Sequence, residues 1–185
     1  MQVFAWDVDS TYLHGRIDHD VYVTLPDGYG KSGKAGQLNK VIYGLLEAAQ
    51  VWRKDLETNL KKLGFVPLGS DTDVFLKKSE TGVIVIDTHV DDNTGICSSE
   101  EEELCLKEGV KKTYKIKEKG TSKPFKVLGI LITRNTHQGT LKMSQSEYIE
   151  LLLQRFNMAD SNPVTTPVDK GSHLKRDEDV KTKSK

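Results

Sequence analysis

Cysteine is scarce in this sequence, long apolar runs are absent, and neither sign of charge is in excess. The two cysteines, Cys97 and Cys105, have no CxxC spacing and no histidine cluster nearby, which argues against a disulfide scaffold or a structural zinc site. No stretch approaches the roughly 18 apolar residues of a membrane span, so we expect no membrane partner. The 27 basic residues balance the 27 acidic ones, so overall charge does not point to a polyanionic partner. We expect an intracellular protein, in the cytoplasm, the nucleus or both.

The order of the predicted elements indicates the fold class. The 185 residues suffice for one to one and a half average domains with a buried core. Residues 3–13 and 125–133 read as strands, and the apolar spacing over residues 45–63 predicts an amphipathic helix that ends at Gly64. Hairpins are mixed with these segments. The pattern predicts an α+β fold, an antiparallel sheet backed by helices.

Three aspartates stand where charge is least expected. Asp7 lies in the first predicted strand, and Asp91 and Asp92 lie at the tip of a hairpin predicted over residues 83–97. Burying carboxylates is costly unless they are paired or bind a metal, and Mg²⁺ prefers oxygen ligands. Aspartates are also common in turns, because their side chains hydrogen-bond turn backbone. From these residues alone, a metal site and an ordinary turn both remain open.

Short motifs follow one another along the chain in a fixed order. They are DVDSTYLHG at residues 7–15, VYVTLPDGY at 21–29, LNKVIYGL at 38–45, HVDD at 89–92, LGI at 128–130, LKMSQ at 141–145 and PVTTP at 163–167. Each motif is weak alone. In this order they resemble the copia-type LTR-retrotransposon reverse transcriptases, the RNA-dependent DNA polymerase region of the Pol polyprotein. The resemblance covers about residues 2–169.

The resemblance implies an RNA-directed DNA polymerase that works by two-metal nucleotidyl transfer. In that family the matching carboxylates, here Asp7, Asp91 and Asp92, are catalytic and hold Mg²⁺ or Mn²⁺. The implied partners are an RNA or DNA template-primer and deoxynucleoside triphosphates.

The resemblance also implies four substrate-binding residues. Val8 would offer a backbone contact to the triphosphate, and Tyr12 would stack under the sugar. Tyr43 and Gly44 would begin a helix that lies beside the template and the incoming base.

The resemblance implies a division of the chain as well. Residues 1–98 would form a reverse-transcriptase palm, and residues 99–169 the end of the palm and a thumb-like connection region. Residues 170–185 read as a flexible tail. We expect the fingers and the RNase H segment of a parent polyprotein to be missing.

Several residues depart from the family pattern and bear on activity. Leu46 and Gln50 replace a lysine and an arginine, Glu47 adds an acid, and Thr11 replaces a small alanine. His89 stands where the family usually has tyrosine. Lost cations near a phosphate path weaken binding, so we expect the isolated chain to be weak or inactive. The alternative is a catalytically dead remnant that acts as a nucleic-acid-binding or protein-interaction domain.

One basic segment remains open in function. Residues 107–126 hold eight lysines against two glutamates, a local net charge of +6. The segment is either a solvated helix face and loop or a contact to a nucleic-acid backbone.

Overall fold

The computed structural model of this protein describes residues 1–29, 33–119, 123–168 and 171. The chain divides into two compact units, residues 1–145 and 146–185. The elements, in chain order, are β1 (Gln2–Val8), β2 (Tyr22–Thr24), β3 (Ala35–Gln37), α1 (Ala48–Lys62), β4 (Val66–Pro67), β5 (Val74–Lys78), β6 (Val83–His89), β7 (Asp92–Cys97), α2 (Glu100–Lys111), β8 (Ile116–Glu118), β9 (Phe125–Val127), β10 (Ile130–Asn135), β11 (Thr140–Ser144) and α3 (Ser146–Arg155), with a 3₁₀ turn at Thr11–His14. Of the helices in the described ranges, none is long and apolar enough to cross a membrane.

Six antiparallel strands form the main sheet, in the order β4-β5-β6-β7-β1-β8. One face of this sheet shares a buried core with α1 and α2. The core contains, among others, Phe4, Trp6 and Val8 of β1, Trp52, Leu56 and Leu60 of α1, and Leu106 and Val110 of α2. The predicted α+β class, with antiparallel sheet and helices, is confirmed.

The other face of β1 belongs to a second, smaller core. Because side chains alternate along a strand, Val3 and Ala5 point away from the helices. They pack against Phe125 of β9 and Ile132 of β10. β1 is therefore buried on both faces over most of its length.

The helix predicted over residues 45–63 begins three residues further along the chain than expected but ends as predicted. α1 begins at Ala48, so the residues before it lie in a turn. At its end Gly64 has φ 88° and donates its N–H to Lys61, while the N–H of Phe65 reaches the carbonyl of Leu60. These two bonds form a Schellman motif, which satisfies carbonyls that the helix leaves open.

Turns end one of the predicted strands early and divide another. The strand predicted over residues 3–13 ends at Val8, because Ser10 takes φ 55° and the hydroxyl of Thr11 donates to the carbonyl of Val8. The strand predicted over residues 125–133 is two strands. Leu128 and Gly129 have φ 48° and 78° and form the turn between them. In both cases a local left-handed turn overrides apolar strand propensity.

The start of α2 is tied to the β5–β6 turn by one carboxylate. Ser99 caps the helix by accepting from the N–H of Glu102. The buried carboxylate of Glu102 accepts hydrogen bonds from the hydroxyls of Ser79 and Thr81. These two hydrogen bonds, led by that from Ser79, lower the pKa of Glu102 against the effect of burial.

Replacing Glu102 with glutamine is expected to lower the free energy of unfolding at neutral pH by about 1–2 kcal/mol, the value of charge-assisted hydrogen bonds. A lowered folded-state pKa stabilises the protein above the unfolded-state pKa, about 4.3, and that stability is lost as the pH falls through the folded-state value. The variant should therefore lose less stability on acidification than the wild type. Urea unfolding at pH 7 and at pH 3.5–4.5 measures both effects. Glu101→Gln, on an exposed neighbour in the same helix, should change neither, and equal acid sensitivity in Glu102→Gln would contradict the assignment.

Candidate active site

Two of the three predicted carboxylates face each other across neighbouring strands. In the antiparallel register of β1 and β7, Asp7 lies directly opposite Asp92. Asp7 continues the row of Val3 and Ala5 on the sheet face away from the helices. Val3 and Ala5 are buried in the smaller core, whereas Asp7 lies at its edge. The carboxylates of Asp7 and Asp92 are both partly exposed.

A lysine that the sequence analysis did not single out lies between these carboxylates. The ammonium Nζ of Lys119 lies 2.7 Å from Oδ1 of Asp7 and also contacts Oδ1 of Asp92. Lys119 follows β8, and its backbone N–H donates to the carbonyl of Ala5 at 2.9 Å. The side chain therefore starts from a position that the sheet fixes.

The three charges shift one another's pKa. Burial raises the pKa of Asp7, the hydrogen bond from Lys119 lowers it, and Asp92 raises it again, so the net shift is upward. Burial also raises the pKa of Asp92, but its hydrogen bonds with Lys119 and Asp7 outweigh that effect and the net shift is downward. For Lys119, burial lowers the pKa but the two carboxylates raise it by more. The ammonium of Lys119 thus favours the charged form of both carboxylates, and the two carboxylates in turn favour the charged form of Lys119.

The hairpin tip that carries Asp91 is held from several sides. Val90 has φ 55°, a conformation that is strained for a β-branched residue. Its carbonyl accepts from Nε1 of the buried Trp52 at 2.7 Å. The carbonyl of Asp91 accepts from the N–H of Val8 and from Nδ2 of the buried Asn93, both at 3.0 Å. The backbone at the tip is thus fixed, while Asp91 itself is exposed.

The predicted metal site fits the structure in part. Within the described ranges, no three His, Cys, Asp or Glu side chains form a group that could hold a metal ion. Of the three predicted carboxylates, Asp7 and Asp92 converge on one cation, the ammonium of Lys119. Oxygen donors of this kind suit a hard divalent cation. The pair therefore favours a positive charge, and Asp91 directly precedes Asp92 in the chain.

The four predicted substrate-binding residues fall into two groups. Both backbone polar groups of Val8 have partners within the protein, the carbonyl of Asp91 and the hydroxyl of Thr11. The rings of Tyr12 and Tyr43 meet edge to face with centroids 5.0 Å apart, and Tyr43 is exposed. The structure brings this aromatic pair together although the two residues are 31 positions apart in the sequence.

The helix expected to start at Tyr43 does not do so. Tyr43 and Gly44 precede α1, and Gly44 has φ 97°, which is incompatible with a right-handed helix. Two of the departures from the family pattern also lie in this segment. Leu46 is fully exposed, and the carboxylate of Glu47 lies 3.3 Å from Nε2 of His19.

The basic segment at residues 107–126 is largely paired with acids. Within the described ranges at least five of its eight lysines form ion pairs with carboxylates, which lowers the field available to a polyanion. Lys107 and Lys111 contact Glu118, Lys107 also contacts Glu103, Lys115 and Lys117 contact Asp9, and Lys119 contacts Asp7 and Asp92.

The alternation of Lys115, Lys117 and Lys119 was the available sequence signal for this arrangement. Residues two apart in a strand share a face. Asp7 lies in β1, and Asp9 follows this strand directly, two residues after Asp7. The pattern alone could not reveal that β1 and β8 are neighbours.

The comparisons with known proteins agree on one family. A family profile described as "Reverse transcriptase (RNA-dependent DNA polymerase)" matches residues 1–170. The chain is 32% identical over 179 residues to "Retrovirus-related Pol polyprotein from transposon TNT 1-94" of Nicotiana tabacum, covering 95% of this chain and 13% of the relative. It is 33% identical over 168 residues to "Retrovirus-related Pol polyprotein from transposon RE2" of Arabidopsis thaliana, covering 88% of this chain and 11% of the relative.

A yeast relative is shorter. A putative transposon Ty5-1 protein of Saccharomyces cerevisiae is 28% identical over 146 residues, which are 77% of this chain and 46% of the relative. The chain thus spans less than half the length of each of these relatives. The profile covers nearly the whole chain, and the ordered motifs lie within it. The chain belongs to the reverse transcriptase (RNA-dependent DNA polymerase) family, and within it to the copia-type retrotransposon Pol polyproteins.

Proposed function

We propose that this chain supplies the catalytic palm of an RNA-directed DNA polymerase, with Asp7, Asp91 and Asp92 as the metal-binding carboxylates. The observation that carries the proposal is the pairing of Asp7 and Asp92 across β1 and β7 around one positive charge. When bound there, two divalent ions would activate a primer 3′-hydroxyl and stabilise the leaving phosphate oxygens. The substrates are a deoxynucleoside triphosphate and an RNA or DNA template-primer.

The chain's own contribution is to hold the carboxylates in place before any ligand arrives. β1 is buried on both faces, so Asp7 extends from a rigid strand. The hydrogen bonds of Trp52 and Asn93 fix the backbone at Val90 and Asp91. Fixed ligands need little reorganisation when the metal binds, which is how a preorganised site lowers a barrier.

The aromatic pair would position the nucleotide. Tyr12 is partly buried against the main core, whereas Tyr43 is exposed and rests edge-on against it. A tyrosine whose ring is supported by a second ring can present a flat apolar surface to a sugar or base at low entropic cost. We propose that this pair lines the nucleotide side of the site.

Weak activity of the isolated chain also belongs to the proposal. Leu46 and Gln50 are exposed and uncharged where the family carries cations, and Glu47 is acidic. Fewer positive groups near a phosphate path mean weaker substrate binding. The second candidate function is binding of nucleic acid or of another protein without catalysis. One observation favours it: the ammonium of Lys119 takes the position between Asp7 and Asp92 that a cation would occupy.

Divalent metal is expected to stabilise the folded chain. Mg²⁺ or Mn²⁺ at ten times its Kd should raise Tm by about 3–6 °C, because a ligand that binds only the folded state stabilises it by mass action. Differential scanning fluorimetry with and without metal measures the shift. Replacing Asp7 and Asp91 together with asparagine should abolish it.

The acidic start of α2 provides the matched control. Glu100 and Glu101 are exposed carboxylates on the same unit, away from the Asp7–Asp92 pair. Their double replacement with glutamine should leave the metal-dependent shift intact. An equal shift in the aspartate variant would place the ion elsewhere and remove the support for the proposed function.

A further inference from the structure

We propose that Lys119 is a resident counter-ion of the acidic pair, and that a divalent metal binds Asp7 and Asp92 only by displacing its ammonium. The inference rests on the proposed function, because it concerns the same carboxylates. It goes further by naming the residue that competes with the metal.

The geometry gives Lys119 the position that a metal would take. One ammonium touches an oxygen of each carboxylate, and these oxygens come from adjacent strands that lie in direct register. An ion held by both carboxylates would compete with the ammonium for the same pair of negative charges. The ammonium and the metal therefore exclude each other.

The position of Lys119 is set by the fold. Its N–H pairs with the carbonyl of Ala5, which extends the β1–β8 ladder beyond the pair of Trp6 with Glu118. The side chain then crosses diagonally to Asp7, two residues along β1. A lysine anchored in this way gives up less conformational entropy on pairing than one on a free loop.

Comparison with the neighbouring lysines shows that the ion pairs of Lys119 differ from ordinary surface ion pairs. Lys115 and Lys117 contact the carboxylate of Asp9, but their side chains are 83% and 69% exposed. Exposed pairs of this kind are screened and contribute little. The side chain of Lys119 is only 23% exposed and contacts two carboxylates, so its charge is screened less and competes more strongly.

Removal of the ammonium should expose the metal affinity of the pair. Lys119→Met keeps most of the apolar stem and removes the charge. We expect it to lower the Kd for Mn²⁺ by about 10- to 100-fold, the factor that one charge-assisted hydrogen bond is worth. Lys119→Arg should stay close to the wild type. Lys117→Met removes an exposed charge from β8, two residues before Lys119, and should change the Kd by about twofold or less.

The test is a titration of the 185-residue chain with Mn²⁺, in which the electron paramagnetic resonance signal of the free ion gives the Kd. Each variant is also made with Asp7→Asn, which should abolish the gain. If Mn²⁺ binding depends on Asp7 but Lys119→Met leaves the affinity unchanged or weakens it, Lys119 is not a counter-ion that competes with the metal. The proposed function would still stand. Binding that ignores Asp7→Asn in every background would overturn both.

A second measurement uses the wild-type side chain, so that it does not depend on the folding of Lys119→Met. Lysines are reductively methylated with ¹³C-formaldehyde, which keeps their charge, and the Lys119 resonance is assigned from Lys119→Arg. Addition of diamagnetic Mg²⁺ should move this resonance towards those of exposed lysines, along a saturable curve. A Lys119 resonance that stays in place at Mg²⁺ concentrations that raise Tm would overturn the displacement.

Discussion

Replacing Asp7 with asparagine is expected to reduce primer extension by about 10²- to 10³-fold or more, the loss that follows removal of one preorganised charge-stabilising group from an active site. Asparagine has the same shape but lacks the negative charge that would hold a cation beside Asp92. The measurement is extension of oligo(dT) on poly(rA). We expect little product from the 185-residue chain, so the comparison is also made in a version joined to the flanking regions of the tobacco polyprotein.

Asp9 provides the control for this substitution. It lies two residues from Asp7, and its carboxylate contacts the exposed Lys115 and Lys117 instead of Asp92. Asp9→Asn should therefore change extension by no more than a few-fold. Equal losses in the two variants would mean that Asp7 acts through general charge. Robust extension by the bare chain would contradict the expectation that it is weak by itself.

Replacing Trp52 with alanine is expected to lower the free energy of unfolding by about 3–5 kcal/mol, the usual cost of deleting a buried tryptophan. Its side chain is 2% exposed, and its ring lies 5.2 Å from that of Tyr114 and 6.0 Å from that of His14. The substitution also removes the indole donor to the carbonyl of Val90. The loss is a large fraction of a typical domain's stability.

Denaturant unfolding followed by circular dichroism measures this effect, because the signal does not depend on the tryptophan removed. Trp52→Phe separates the two contributions. It keeps a ring in the core and removes the donor, so it should cost less stability yet still weaken metal binding at the hairpin tip. Leu46→Ala, on a fully exposed side chain, should stay within about 0.5 kcal/mol of the wild type. A loss below about 1 kcal/mol for Trp52→Ala would contradict the role of this contact.

Regular periodicity allowed much of the fold to be predicted from the sequence. Trp52, Leu56 and Leu60 of α1 recur every four residues, and Gly64 supplies the left-handed residue after the helix. The helix and its end could therefore be predicted from local rules. The hairpin of β6 and β7 was equally visible, because an apolar run is interrupted by Asp91 and Asp92. These features depend on neighbours in the chain.

The strand and helix boundaries were predicted wrongly where a residue adopts a backbone conformation that its side-chain type does not favour. Ser10 and Leu128 are not glycine, yet both adopt positive φ and end or divide a predicted strand. Gly44 prevents the expected early start of the helix. Local rules assign such positions by side-chain type and so miss turns that tertiary packing imposes.

Only part of the candidate site could be predicted from the sequence, for a different reason. Motif order indicated Asp7, Asp91 and Asp92, but Lys119 comes 27 residues after Asp92 and reads as one more lysine in a basic run. Its role depends on β8 pairing with β1 and not with a nearer strand. A pairing between the first strand and the eighth is a long-range property that periodicity does not encode.

The measurement that tests the central claim most directly is anomalous diffraction from crystals of the chain grown with Mn²⁺. The claim is that Asp7 and Asp92, joined by Asp91, are the ligands of the catalytic metal. We expect an anomalous peak in contact with Asp7 and at least one carboxylate of the hairpin tip, with the Lys119 ammonium moved away from the pair. The claim would be contradicted if, at saturating Mn²⁺, Lys119 still contacted both carboxylates and the anomalous peak lay elsewhere.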